Sequence, residues 1–465
     1  MSKKTQNNYD GFKSKWGFIM ACIGSAVGMA NIWRFPNMVA TYGGLTFIIP
    51  YFIFVAVIGS SGVMEEFALG RWGGAGPVGA FGKCTEERLG SKTPGELIGA
   101  LPVIGSMGLA IGYSVVMGWI FKYTWMSFSG KLYAMGQDMN AIIGTFSAAA
   151  PETDYLGQGI SLMLENGVFG IGNGLWIVVA VVSSIVIMCL GISGGIEKSC
   201  KIMIPALFAL FVVLAVYVAT LPGAGEGYKF IFSLDPAGLL NWEVWVYAFG
   251  QAFFSLSVAG NGSVIYGSYL SKDVDIGFSA RNVAVFDTLA ALVAMFVTIP
   301  AMTAAGAEMT GGPGLMFIFL VNVFNGMGAM GRFVGIFYFV AVLFAGVSSI
   351  INLYETPVAF MQEKVKLGRI PAVVIVHAIG LIVALLIQPW TSPWMDMVSI
   401  YICPFGAMLA GIMFFWVLKK ETALDAVSQG SAKRVGAWFH PFGKFVYVPL
   451  CIAALYFGAK LGGIG

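Results

Sequence analysis

Gly24-Ser25-Ala26-Val27-Gly28-Met29-Ala30-Asn31-Ile32-Trp33-Arg34-Phe35-Pro36 sits inside an apolar run that begins at Trp16. A continuous membrane helix has little use for such residues. Gly24, Gly28 and Ala30 leave the backbone loosely held, Asn31 is polar, Arg34 is charged and Pro36 lacks an amide donor. Each unsatisfied backbone group in hydrocarbon costs several kcal/mol, so loose backbone at membrane depth survives only where it lines a cavity. An intramembrane charge marks a functional site by default. An ordinary kinked helix is the plain alternative, because Gly and Pro are common in membrane helices. The rest of the chain decides between the two.

The chain has 465 residues, 58% hydrophobic and 11% charged, with mean hydropathy +0.83. That is the composition of a polytopic membrane protein. A soluble chain of this length needs far more charge to cover its surface. The net charge of +3 makes no case for nucleic acid. Cys22, Cys84, Cys189, Cys200, Cys403 and Cys451 show no metal spacing, and none falls in a segment expected outside. Neither a zinc site nor a disulfide framework is supported. Residues 1–15 are polar and basic, and the first apolar run is too long and lacks a cleavage site, so removal as a signal peptide is not expected. His377 and His440, the only histidines, are expected to be structural or interfacial.

A spanning helix needs ~20 mostly apolar residues. Eleven such segments are expected, near 16–40, 44–70, 98–127, 173–191, 199–221, 242–270, 281–306, 332–362, 370–389, 394–418 and 443–463. The longer loops at 128–172 and 307–331 carry Gly and Pro and are expected to hold short surface helices. Lys and Arg concentrate on one side. If the N-terminal segment 1–15 is cytoplasmic, the inside segments hold 20 of the 26 basic residues, among them Lys3, Lys4, Lys272, Arg281 and Arg369. An odd helix count then puts the C-terminus outside. The sixth segment repeats the feature of the first, with Ser257-Val258-Ala259-Gly260-Asn261-Gly262 between apolar arms. Five helices later the chain enters with opposite polarity. Paired breaks in corresponding positions point to an inverted repeat around a midplane site. The expected architecture is therefore an all-α polytopic membrane protein with two inverted five-helix repeats and broken first and sixth helices. The ten-helix core covers 16–418, and a cytoplasmic loop and the eleventh helix cover 419–465.

Broken helices expose free N–H groups that attract a carboxylate and free carbonyls that attract a cation. Sodium is a hard cation that takes oxygen ligands. The oxygen candidates within membrane segments are Asn31, Ser255, Asp287, Ser348 and Ser349. Asp287 is the sharpest, because a buried unpaired carboxylate is costly and should face a cation or be protonated. Ser348-Ser349 after Ala345-Gly346 is open to a second reading as small-residue packing. There is no nucleophile–base pair, phosphate loop or metal motif, so no enzyme is indicated.

These residues carry a resemblance. Ala26-Val27-Gly28-Met29-Ala30-Asn31-Ile32-Trp33-Arg34-Phe35-Pro36, Gly43-Gly44, Ile49-Pro50-Tyr51, Glu66-Phe67-Ala68-Leu69-Gly70-Arg71, Gln251-Ala252-Phe253-Phe254-Ser255-Leu256-Ser257 and Ala345-Gly346-Val347-Ser348-Ser349 resemble the neurotransmitter:sodium symporters, in particular their bacterial amino-acid transporters. That family is itself a type example of discontinuous helices around a midplane site, so the geometry is implied by the resemblance and not by spacing alone. The resemblance implies two sodium ions. One would use the Ala26 carbonyl, Asn31, Ser255, Asp287 and the substrate carboxylate. The other would use carbonyls of Gly24, Val27 and Ala345 with the hydroxyls of Ser348 and Ser349. Tyr113 and the amides of Met29 and Ala30 would hold the substrate carboxylate, beside Phe253 and Ser349. Phe254 would be the aromatic lid, Arg34 and Gln251 the outer gate, and Tyr269 and Glu363 members of the cytoplasmic gate. Gly195 and Pro205 match a glycine–proline spacing at which the fifth helix unwinds. Four departures stand out. Ala30 replaces a usual Gly. Gly260 and Asn261 replace a bulky residue and a Gly. Asp396 is the only acid near the place of the outer-gate partner. Lys3 or Lys4 would have to stand in for a cytoplasmic arginine.

Monoamine transporters of the family carry an Asp at the place of Gly28, so here the substrate is expected to bring its own carboxylate. The pocket around Leu109, Tyr113, Phe254, Ser257, Gly260 and Leu353 is mostly apolar, which points to a hydrophobic or aromatic L-amino acid imported by alternating access. Another small carboxylate or an osmolyte is the runner-up. A non-transporting receptor on the same fold is the reading from a different class. The expected partners are the amino acid, sodium and the lipid bilayer of the cell membrane, with no nucleic acid and an open oligomeric state.

Overall fold

A computed structural model describes residues 11–153, 156–167, 169–258, 262–306 and 312–464. Helices account for the regular structure of the described residues, and no strand occurs among them. Eight helices there are long and apolar enough to cross a membrane. They are Gly44–Gly73, Thr93–Phe128, Ile192–Ala219, Ile276–Ala304, Ala329–Glu363, Arg369–Leu386, Gln388–Val417 and Phe439–Leu461. A ninth crossing is the pair Lys15–Ala26 and Ala30–Tyr42, bent by 57°. The apolar helix Gly174–Cys189 and the interrupted pair Trp242–Ser255 and Gly262–Ser268 stand in the fourth and sixth places of the series. Each of the eleven expected segments thus carries helix among the described residues.

Two boundaries differ instructively. The third span begins at Thr93 and the seventh at Ile276, each five residues before its apolar run. The seventh starts early because Asp275 caps it, its Oδ1 accepting the Phe278 amide at 2.9 Å. Arg281, expected at the very start of the span, therefore lies more than a turn inside the helix. Ser14 and Asn241 cap the first and sixth spans in the same way, accepting from Gly17 and Glu243 at 2.9 and 3.0 Å. Such caps satisfy amides that a helix start leaves without partners. The loops at 128–172 and 307–331 do hold short helices, including Met139–Ala149, Leu156–Asn166 and Leu320–Gly326.

The eighth span is the axis of the core. It packs on the first, third and fifth spans, and its stretch Ala345–Ala359 is buried throughout. Gly24 lets the first span approach it closely: a Cβ there would sit 2.8 Å from the Ser348 Cβ. The outer faces of the other spans are apolar and exposed, with Leu175, Val186, Ile202, Val216 and Ile382 among them. Apolar residues that face outward all round a helical bundle belong against lipid. His377 is structural, as expected. Its ring stacks on Tyr354 with centroids 4.0 Å apart, and its nitrogens meet the Ser184 hydroxyl and the Val373 carbonyl at 3.0 and 2.9 Å.

Candidate functional site

The first span stops at Ala26. Val27 leaves the helix with φ −70° and ψ 99°, and a wide turn over Ala30–Arg34 restarts it. In the sixth span the helix ends at Ser255, and Ser257 sits at φ 57°, a left-handed conformation that costs a non-glycine residue energy. Ala259, Gly260 and Asn261 lie outside the described residues, and with them the expectations placed on Gly260 and Asn261. The two breaks face each other. Ser257 donates to the Ser25 carbonyl at 2.8 Å, Gln251 Nε2 to the Ala30 carbonyl at 3.1 Å, and Asn31 Nδ2 to Ser255 Oγ at 3.0 Å.

Asp287 completes the first oxygen cluster. Its side chain is wholly buried. Oδ2 accepts from the Ser255 hydroxyl at 2.6 Å, and Oδ1 accepts from Asn31 Nδ2 at 2.8 Å. The same Asn31 nitrogen also reaches the Asp287 carbonyl at 3.2 Å, while Asn31 Oδ1 accepts the Gly28 amide at 3.0 Å. One NH₂ group thus sits among three oxygens from two spans.

The second cluster is built on Ser349. Its hydroxyl oxygen lies 3.3 Å from the Gly24 carbonyl, 3.3 Å from that of Val27 and 3.1 Å from that of Ala345. Ser348 Oγ is 3.0 Å from the Ala345 and Phe344 carbonyls. A hydroxyl has one proton to give. It cannot satisfy three carbonyls, so buried lone pairs converge with fewer hydrogens than they need. Such a set suits a small hard cation.

Tyr113 lies beside the second cluster. Its hydroxyl accepts the Met29 amide at 3.2 Å. A Cβ on Gly28 would lie 3.0 Å from that hydroxyl and 3.1 Å from Ser349 Oγ, so Gly28 is the gap through which these groups meet. Phe253 is buried, with Phe254 edge-on to it at 5.8 Å between centroids. Phe254 and Leu109 are half-buried. Leu353 is buried, its carbonyl accepting from Ser106 at 2.8 Å.

The expected gates are only partly brought together. Gln251 bonds Ala30 and not Arg34. Arg34 and Asp396 lie within electrostatic reach, yet no salt bridge joins them, and the Arg34 Nε is buried without a hydrogen-bond partner. Tyr269 and Glu363 do not bond each other. Glu363 accepts the Gly76 amide at 2.7 Å. Tyr269 instead donates to Glu355 at 2.7 Å, and Glu355 holds Arg369 through two bonds of 2.6 and 2.8 Å. Sequence reasoning does not single out Glu355, although a lone acid in an apolar span is the same signal that marks Asp287. It misses Glu197 as well. That carboxylate accepts from the Lys13 amide at 2.7 Å, the Ser14 hydroxyl at 2.8 Å and Lys201 Nζ at 2.6 Å. Gly195 lies close by in a widened helical segment, Ile192–Glu197, and Pro205 is inside the helix that follows. Lys3 and Lys4 lie outside the described residues.

Known proteins match this arrangement along its length. The sequence model of the sodium:neurotransmitter symporter family matches residues 9–460. An uncharacterised sodium-dependent transporter of Methanocaldococcus jannaschii is 30% identical over 96% of this chain and 90% of its own. A sodium-dependent nutrient amino acid transporter of Drosophila erecta is 26% identical over 96% of this chain and 77% of its own. The crystal structure of MhsT in complex with L-phenylalanine superposes with TM-score 0.81 at 29% identity, covering 96% of this chain and 99% of that one.

Proposed function

The chain belongs to the sodium:neurotransmitter symporter family and is a sodium-dependent membrane transporter; we propose that it imports a hydrophobic or aromatic L-amino acid with two sodium ions by alternating access. The observation that carries this reading is the Ser349 cluster, where carbonyls of Gly24, Val27 and Ala345 converge on a single hydroxyl. A sodium ion there would be held by those carbonyls with Ser348 and Ser349. A second ion would enter between Asn31, Ser255 and Asp287, with the Ala26 carbonyl and the substrate carboxylate, and would take over the contacts that the Asn31 amide now makes.

The substrate carboxylate would be received by the Tyr113 hydroxyl and the amides of Met29 and Ala30. Gly28 leaves room for it, and Phe253, Phe254, Leu109 and Leu353 offer an apolar wall. The L-phenylalanine bound to MhsT supports an aromatic substrate. The positive-inside count, 20 of 26 basic residues, supports a multi-pass protein of the cell membrane with its N-terminus in the cytoplasm.

The test is thermal stabilisation of the purified protein by each of the twenty amino acids, with sodium and with potassium in its place. A ligand at 100 times its Kd adds ~2.7 kcal/mol of stability. Aromatic and large aliphatic amino acids should raise the melting temperature in sodium only. No shift with any amino acid in either salt overturns the reading, and a shift confined to a non-amino-acid carboxylate moves it to the runner-up substrate class.

A further inference from the structure

The seventh span has two working faces. Asp287 points into the oxygen cluster. Val285, Leu289 and Leu292 turn away from it and, with Ala284 and with Val55, Gly59 and Met64 of the second span, line a groove of ≈ 640 Å³. Gly59 sets the closeness of the two helices, since a Cβ there would lie 3.1 Å from the Ala284 Cβ.

One end of the groove is cationic. Arg281 lines it and is exposed. No salt bridge or hydrogen bond engages it among the described residues. The acids nearest in sequence are engaged elsewhere: Asp275 Oδ1 caps Phe278, Asp287 accepts from Ser255 and Asn31, and Asp273 accepts the Ser271 hydroxyl. Lys15 lies outside the groove lining but near this end, its ammonium 4.1 Å above the ring of Phe278, which follows the groove residue Gly277 and precedes Arg281 by one turn. Trp16 beside it is exposed, as aromatic residues at the membrane interface are.

The dimensions fit one lipid leaflet. From Arg281 to Leu292 the helix rises about 17 Å at 1.5 Å per residue, against about 15 Å for half a hydrocarbon core. An unpaired guanidinium at the headgroup end of an apolar groove calls for an anion with a hydrocarbon tail. Basic pockets between membrane helices bind acidic headgroups. We propose that the groove between the second and seventh spans binds one anionic phospholipid, with its phosphate at Arg281 and Lys15 and an acyl chain along Gly59 and Ala284. The bound lipid braces the helix that carries Asp287 from the side opposite the ion.

The test is native mass spectrometry of the full-length protein in mild detergent, with phosphatidylglycerol or phosphatidylcholine of matched oleoyl chains at equal concentration. Phosphatidylglycerol adducts should be at least three-fold more abundant. Arg281→Gln should bring the ratio near one, Arg281→Lys should keep it, and Ser60→Trp, which fills the groove wall, should remove it. A ratio near one in the unaltered protein overturns the proposal, as does a preference that survives Arg281→Gln. If Arg281→Gln does not fold, a preference that survives Ser60→Trp overturns it instead.

Discussion

Asn31 and Asp287, 256 residues apart in sequence, are joined by a 2.8 Å hydrogen bond from the amide nitrogen to Oδ1. The bond ties the break of the first span to the middle of the seventh. It also places a fixed carboxylate beside the proposed sodium ions. Two sodium ions and one substrate carboxylate leave about one excess positive charge in a low-dielectric site, where imbalance is expensive. In the proposed site Asp287 would supply the missing negative charge.

Transport should therefore not need chloride. Uptake into proteoliposomes should be unchanged when gluconate replaces chloride. Asp287→Asn keeps the volume and loses the charge, so its sodium half-saturation should rise at least tenfold, about 1.4 kcal/mol. A several-fold drop of wild-type uptake in gluconate contradicts the assignment.

Ser349→Ala should remove the hydroxyl on which three carbonyls converge and raise the sodium requirement about tenfold or more, about 1.4 kcal/mol. Ser349→Thr retains the oxygen and should stay near the wild type. Sodium-dependent melting curves of the two variants make the comparison, and equal sodium dependence in both counts against an ion there.

The Glu355–Arg369 pair should behave as a buried ion pair, since Glu355 is wholly buried and Arg369 is 18% exposed at its side chain. Removing one partner of such a pair costs about 3–5 kcal/mol, because the other charge is left uncompensated. Arg369→Leu should lower the melting temperature strongly. Glu355→Met combined with Arg369→Leu should recover more than half of the loss. Additive losses would show that the two residues act independently.

Gly24→Val should be severe. Even a Cβ would stand 2.8 Å from the Ser348 Cβ, and overpacking a tight core costs about 1–3 kcal/mol. Gly225, whose Cβ would meet nothing within 4 Å, should accept valine with little change. Thermal melts of both variants in the same detergent test the contrast.

The parts of this molecule that are legible in the sequence share one property: their signal is local. Apolar runs of span length announce the helices. A polar and glycine-rich interruption announces each break, and a lone acid announces Asp287. Of the oxygen residues named from the chain and from the family resemblance, Asn31, Ser255 and Asp287 lie together, and so do Gly24, Val27, Ala345, Ser348 and Ser349. What stays hidden depends on register between distant elements. In the sequence Arg369 is one more basic residue near a loop, and only the turn between the eighth and ninth spans brings it to Glu355. Arg281 likewise reads as the first residue of its span until Asp275 caps the helix ahead of it. Asp396 is the natural partner for Arg34 by sequence, but reach between two tilted helices decides that contact, and here they do not close.

The Glu197 carboxylate is 3% exposed and accepts from the Lys13 amide, the Ser14 hydroxyl and Lys201. Two of those three donors belong to the segment leading into the first span. Lifting that segment strips a buried anion of most of its support, so Glu197 must reach water in the same movement. The carboxylate therefore ties the entry to the first span to the widened turn of the fifth, and parting the two would leave a buried anion with one of its three donors.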